Sequence, residues 1–578
     1  MPTDLAKPIR HSRRSAGPYF LGGTTALILA AVLVGPLVLA IGEGFLDEGH
    51  FSLTWLDRVV QNKVLMHQLL NGVLLAGAAT GLCVLIALPL AILRGSRRFL
   101  GAGLLGALVL LPMILPPFVG ALSMRRLLGQ FGSINLLLGH LGILSDSDPR
   151  TWPDWLGGGF GAVAILQALH LFPILYLNAS AALANVDPAH IQAARNLGAG
   201  PWRTFWRITL PLMRPGLFAG GTIIFIWSFT DVGTPLVVGY QDLAPVTLFN
   251  ELAAADVSGR TYSLVFLLLS GSAGLFVVGK LLFGRAPAAQ ASKATLAAQS
   301  PRLGVVGTLG AWLLFGVVIL AAAAPHAGVA MMAISKTWAN SVIPTEWTAR
   351  HLQFVFTQEQ TYRSILNSLQ YAGVSTVLDI LLGVVIAWLL VRSRIVGRGA
   401  LDALAMLPLA VPGLILAAGY VALTAWGPLK GIGPRGNPFV ILVVAYAVRR
   451  LPFTVRGVAA GLEQVSETLE EAARNLGASR TGAFCRVTLP LIAANAVAAG
   501  VLVFTYSMLE VSDSLILAQL PAHYPITKQI YVLATSTGSP ETQNQAAALG
   551  LYGMGLLGAT LALAAGLMGK RLGAIFRA

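Results

Sequence analysis

The sequence predicts an all-α, polytopic membrane protein of about twelve transmembrane helices in two tandem six-helix repeats. Three observations carry this expectation. Of the 578 residues, 56% are hydrophobic and 11% charged, and the mean hydropathy is +0.73; an ordinary soluble domain carries ~25% charged residues. Too little polar surface is present to clothe a particle of this size, so lipid must cover the rest and a water-soluble enzyme is excluded. Apolar runs of the ~20 residues needed to cross hydrocarbon recur along the whole chain. Lastly, the chain repeats itself at a nearly constant offset, and a repeat decides an architecture.

In order, the apolar runs lie near 19–42, 69–93, 100–124, 160–184, 217–239 and 262–283, then near 303–333, 366–391, 400–426, 438–460, 497–518 and 545–568. The first follows Lys7, Arg10, Arg13 and Arg14 and is too long for the apolar region of a cleaved signal peptide, so it reads as a span. Cations cluster after alternate spans: Arg94, Arg97 and Arg98; Arg195, Arg203, Arg207 and Arg214; Arg392, Arg394 and Arg398; Arg474, Arg480 and Arg486; and Lys570, Arg571 and Arg577 at the end. The positive-inside rule makes these segments and both termini cytoplasmic. Segment 43–68, with Glu43, Asp47, Glu48 and Asp57, then falls outside. The net charge of +15 resides in these basic loops and does not point to nucleic acid.

Residues 284–302, small and polar without apolar period, read as a cytoplasmic linker between a first unit, 1–283, and a second, 303–578. Two cysteines, Cys83 and Cys485, make neither a disulfide framework nor a zinc spacing, and the nine histidines show no ligand spacing. No metal, cofactor or catalytic group is expected.

The repeat is explicit. Gln192-Ala193-Ala194-Arg195-Asn196-Leu197-Gly198, continuing to Leu210-Pro211, matches Glu471-Ala472-Ala473-Arg474-Asn475-Leu476-Gly477, continuing to Leu489-Pro490, at an offset of 279. Upstream, Asn71, Gly77, Thr80 and Pro112 pair with Asn367, Gly373, Thr376 and Pro408 at an offset of 296, so about 17 extra residues fall in the outer loop 130–158 of the first unit. An even number of spans per unit makes the repeats parallel, with a path between them. Prolines 112, 116, 117, 408 and 412 are expected to kink spans three and nine.

The repeated cytoplasmic segments, 187–215 and 466–494, have the character of docking devices. Each begins with a short helix (187–199 and 466–478) that has a small-residue face, ends at Gly198 or Gly477 in the left-handed conformation, and is broken from the next span by Pro211 or Pro490. Within the membrane, charge is costly and marks function. Asp231 and Glu510 share a repeat position three residues after Ser228 and Ser507, and are expected either to line the central path or to bind backbone where a helix breaks before Pro235 or near Asp513. Asp379 lies in span eight opposite Cys83 in the repeat. Arg125 and Arg126, ending span three, could attract an anion but are expected to snorkel to the interface.

The docking segment is similar to the EAA motif of ABC importer permeases, in which Glu-Ala-Ala, a Gly and a later Leu-Pro recur at fixed spacing. The second copy fits with Glu471, Ala472, Ala473, Gly477 and Pro490; the first fits with Ala193, Ala194, Gly198 and Pro211, with Gln192 in place of the glutamate. The resemblance covers the whole chain as two type I permease units fused in tandem, and is particular to ferric-iron permeases, with 2-aminoethylphosphonate, thiamine and polyamine permeases beside them. It implies that these loops seat two copies of an ATPase subunit, that a periplasmic binding protein delivers the substrate, and hence that the chain lies in a cell inner membrane whose outer face meets a periplasm. With no Gly-x-x-x-x-Gly-Lys-Ser/Thr loop in the chain, ATP belongs to the partner. An ion-coupled carrier of twelve spans would share the hydropathy but would not need the doubled docking segment.

Overall fold

The computed structural model describes residues 16–145, 148–157, 159–254, 257–283, 301–393, 395–425, 427–535 and 539–568. The expected linker lies outside them except for Pro301 and Arg302, as do Lys7, Arg10, Arg13 and Arg14 near the start and Lys570, Arg571 and Arg577 near the end. Among the described residues the regular structure is helical apart from one hairpin of two two-residue strands, Leu46–Asp47 with His50–Phe51, and two isolated bridges, Arg98 with Arg302 and Ser335 with Trp347. In lipid every backbone donor must be met within its own segment, which a helix achieves and an open strand does not.

The first unit contains α1 (Gly17–Gly44), α2 (Lys63–Ser96), α3 (Ala102–Ile114), α4 (Pro117–Leu128), α5 (Phe160–Ala184), α6 (Pro188–Asn196), α7 (Pro201–Phe229), α8 (Gly233–Val238) and α9 (Gly259–Phe283). The second contains α10 (Val305–Ile334), α11 (Glu359–Arg392), α12 (Arg398–Leu409), α13 (Gly413–Leu423), α14 (Phe439–Gln464), α15 (Glu467–Asn475), α16 (Arg480–Met508), α17 (Ser512–Leu517) and α18 (Pro540–Met568). Eight helices are long and apolar enough to cross a membrane, or ten if each of two bent pairs is one span. Helices α14 and α18, of 26 and 29 residues, stand at the remaining two expected positions.

Spans three and nine are broken rather than kinked. The chain turns by 96° between Ala102–Ile114 and Pro117–His140, and by 102° between α12 and α13. Leu115 and Pro116 are extended in the first break and Pro412 in the second. Prolines four residues apart remove two donors from one turn and force the preceding residue out of the helical region, so the helix cannot run through. Spans five and eleven also stop short, at Phe229 and Met508, and restart as α8 and α17.

The units interlock by exchanging their first helices. Helix α1 packs on α13 of the second unit, where the Tyr420 hydroxyl donates to the Val32 carbonyl at 2.8 Å; α10 packs on α4 of the first, where Ser123 Oγ donates to the Pro325 carbonyl at 2.8 Å. Close approach needs small residues there: a Cβ on Gly419 would lie 2.9 Å from the Pro36 backbone, and one on Gly328 would lie 2.8 Å from Ser123. The repeat is also visible in detail. Asn71 holds the loop after α8 through Asp242 (2.7 Å), and its repeat mate Asn367 holds the loop after α17 through the carbonyls of Ala522 (3.0 Å) and Tyr524 (3.1 Å).

Candidate translocation cavity and coupling segments

The four helix breaks converge on one cavity, with about 1270 Å³ of empty space, between the two units. Its walls come in repeat-related pairs: Asp231 with Glu510, Trp227 with Tyr506, His170 with Arg449, and Pro116 with Pro412. A broken helix presents side chains and backbone ends to the same space, which is how membrane proteins build polar sites at depth.

The two sides differ in charge. Glu510 is 4% exposed and ion-paired to both Arg449 and Arg450 of α14, the latter also donating to the Tyr506 carbonyl at 3.1 Å. Asp513, fully buried one turn further on, lies 3.2 Å from Arg449. Two cations and two carboxylates thus compensate one another, as buried charges must. In the first unit His170 and Leu171 stand where the arginines would be. Asp231 accepts from Gln167 Nε2 at 3.2 Å and from the Gly233 N–H at 3.0 Å, at the start of α8, and no cation lies within ion-pair distance of it among the described residues. Asp231 and Glu510 therefore both line the space and also both bind at a helix break.

Ser228 and Ser507 lie outside this lining, buried one turn back, with hydroxyls that meet no partner. Asp379 is fully buried, and neither carboxylate oxygen is hydrogen-bonded. Sequence reasoning missed Arg449 and Arg450. Their signal was available: two adjacent arginines midway along an apolar run are costly unless partnered. Among the described residues no three His, Cys, Asp or Glu side chains are grouped to hold a metal ion.

The docking segments form as short helices within the expected bounds. Helix α6 is capped by Asp187, which accepts from the Ala189 N–H at 2.8 Å, and α15 by Ser466, which accepts from the Thr468 N–H at 3.3 Å. Gly198 (φ +77°) and Gly477 (φ +93°) end them in the left-handed region, and the next residues, Ala199 and Ala478, reach back to the carbonyls of Ala194 and Ala473. Gln192, Ala193, Glu471 and Ala472 are exposed; Ala194 is buried and Ala473 half-buried. Leu197 and Leu476, 88% and 91% exposed, stand at the tips. Pro211 and Pro490 follow π-helical turns, Phe205–Thr209 and Phe484–Thr488, in which Leu210 and Leu489 donate five residues back. Helix α15 is tied to the body through Glu470, which accepts from Thr488 Oγ1 at 2.7 Å and lies 3.5 Å from Arg392 at the end of α11. Ile191 takes the place of Glu470 in α6 and packs against an apolar cluster.

The family of binding-protein-dependent transport system inner membrane components matches this chain twice, over residues 87–286 and 379–576. A putative ferric transport system permease protein, FbpB 1, of Haemophilus influenzae is 26% identical over 500 residues, covering 84% of this chain and 76% of that one. The ferric transport system permease protein FbpB of Actinobacillus pleuropneumoniae is 25% identical over 512 residues, covering 86% and 71%. A molybdenum transport system permease protein, ModB, of Mycobacterium tuberculosis is 32% identical over 213 residues, 36% of this chain and 76% of its own. Among solved structures, a bacterial ABC transporter importing alginate aligns with 45% of this chain and 94% of its own at 19% identity and a TM-score of 0.34. Matched in both repeats over more than half its length, the chain belongs to the binding-protein-dependent transport system inner membrane components, as a fused two-unit permease of an ABC importer.

Proposed function

We propose that this permease passes ferric iron inward from a periplasmic binding protein through the cavity between its units. Two copies of a separate ATPase seat on α6 and α15, hydrolyse the ATP and drive the exchange of access; this chain contributes no nucleotide site. Both termini and both docking helices are cytoplasmic in this reading. The observation that carries the cargo class is the charge of the cavity. The two arginines are compensated by Glu510 and Asp513, whereas no cation among the described residues lies within ion-pair distance of Asp231, which leaves an oxygen donor of the kind hard cations prefer. The ferric names of the two relatives matched over most of this chain support iron among the cations.

The permease co-purified with its ATPase and reconstituted in vesicles with an iron(III)-loaded binding protein tests this directly. ATP-dependent accumulation of labelled iron, absent with molybdate as cargo, is the expected outcome. Uptake of molybdate and not iron would overturn the cargo. Purification without any ATPase, or uptake driven by an ion gradient in ATP-free vesicles, would overturn the energy source.

A further inference from the structure

We infer that a second cavity, one membrane thickness from the docking helices, receives an acidic side chain of the binding protein; this rests on the importer reading above. The cavity, counting the solvent at its open mouth, spans about 900 Å³ and is walled by Arg125, Arg126 and Asp154 of the first unit and by Trp338–Ser341 of the second. Its position follows from α10. That helix starts just after Arg302, whose backbone bridges to that of Arg98 near the end of α2, and its 30 residues rise ~45 Å before the chain reaches Trp338.

Arg125 is exposed and Arg126 half-buried, and the guanidinium groups of both are held by neutral acceptors. Arg125 Nη1 donates to the Val237 carbonyl at 3.0 Å; Arg126 donates through Nη1 to the Trp338 carbonyl at 3.2 Å and through Nη2 to Gln543 Oε1 at 3.2 Å. These neutral acceptors orient the guanidinium groups without cancelling their charge. Among the described residues no carboxylate lies within ion-pair distance of either, and Asp154, the lone acid of the lining, accepts from the Leu156 N–H at 3.2 Å. Two adjacent, anchored and uncompensated guanidinium groups facing an open cavity form a prepared fork for a carboxylate.

A binding protein is the source of that carboxylate, because the cavity opens at the end where cargo arrives and takes walls from both units. The site is also tied to the path. Arg125 holds Val237 at the C-terminal end of α8, and Asp231 holds the Gly233 N–H at its start. One short helix, ~9 Å long, thus joins the outer cavity to the carboxylate of the inner one. A side chain that draws Arg125 away from Val237 loosens the segment that carries Asp231.

The test measures affinity of the intact permease–ATPase complex in nanodiscs for the host's iron(III)-binding periplasmic protein across a salt series. Wild-type affinity is expected to fall with salt. Arg125→Gln is expected to weaken binding at least tenfold and flatten the salt dependence, and Arg125→Lys to recover much of both. Unchanged affinity and salt slope in Arg125→Gln would overturn the proposal. Should that variant fail to assemble, a tetraglutamate peptide competing on the wild-type complex decides the matter, and absence of competition overturns the proposal. A wild-type complex that ignores the iron protein sinks the iron reading alone, because a tryptophan-fluorescence change on adding tetraglutamate that is present in the wild type and lost in Trp338→Phe still reports on the cavity, and its absence in the wild type overturns the proposal.

Discussion

Asp231 and Glu510 occupy one position of the repeat and line one cavity, but Glu510 is bound by two arginines while Asp231 is held by an amide and a backbone N–H. The same helix break thus yields a closed ion cluster in one unit and an uncompensated carboxylate in the other. The two substitutions at this position should therefore fail differently. Asp231→Asn is expected to cut iron uptake by more than tenfold with assembly and thermal stability near wild type, measured by transport and melting of the same preparation. Glu510→Gln is expected to lose stability by ~3–5 kcal/mol, because it leaves buried guanidinium groups short of charge.

Gly413 lies against the cluster: a Cβ there would collide with the Arg449 guanidinium, whose tip is pinned by Glu510 and Asp513. Gly413→Val is expected to lower the melting temperature and impair transport together. A variant with wild-type melting would show that Arg449 can move aside.

Asp379 makes the opposite case. It is 0% exposed with both oxygens unbonded, and its repeat mate is Cys83. A buried polar group without partners costs ~1–3 kcal/mol. Asp379→Leu is expected to raise thermal stability by about that amount, and a loss of transport in the stabilised variant would show that the carboxyl has a task in another state.

At the docking end, Leu197 and Leu476 are the apolar contacts most available to a partner. Leu197→Asp or Leu476→Asp is expected to lower the bound ATPase from two copies to one, read by native mass spectrometry, and the double variant to none. Gly477→Ala, forced to φ +93°, is expected to cost ~1–2 kcal/mol locally and weaken coupling more than binding, seen as ATP hydrolysed without uptake.

Much of this was legible from residues alone. Spans, repeat and the short helices of the repeated loops are written in composition and spacing, since lipid demands long apolar helices and a left-handed helix end favours glycine. The short helices at 188–196 and 467–475 fall inside the expected 187–199 and 466–478. The charge partners were not legible. Arg449 and Glu510 are 61 residues apart, and nothing local relates them; only the packing of α14 against α16 and α17 makes them a pair.

The sequence by itself determined that the protein is helical, doubled and membrane-embedded, and where its repeated short cytoplasmic-loop helices lie, because these follow from local periodicity and the solvent the chain must satisfy. Tertiary structure decided that spans three and nine break by about a right angle, that the first helices are exchanged between units, and that of two repeat-related carboxylates Glu510 is ion-paired while Asp231, among the described residues, is not. Electrostatic compensation is a property of distances in space, and those are set by which helices meet.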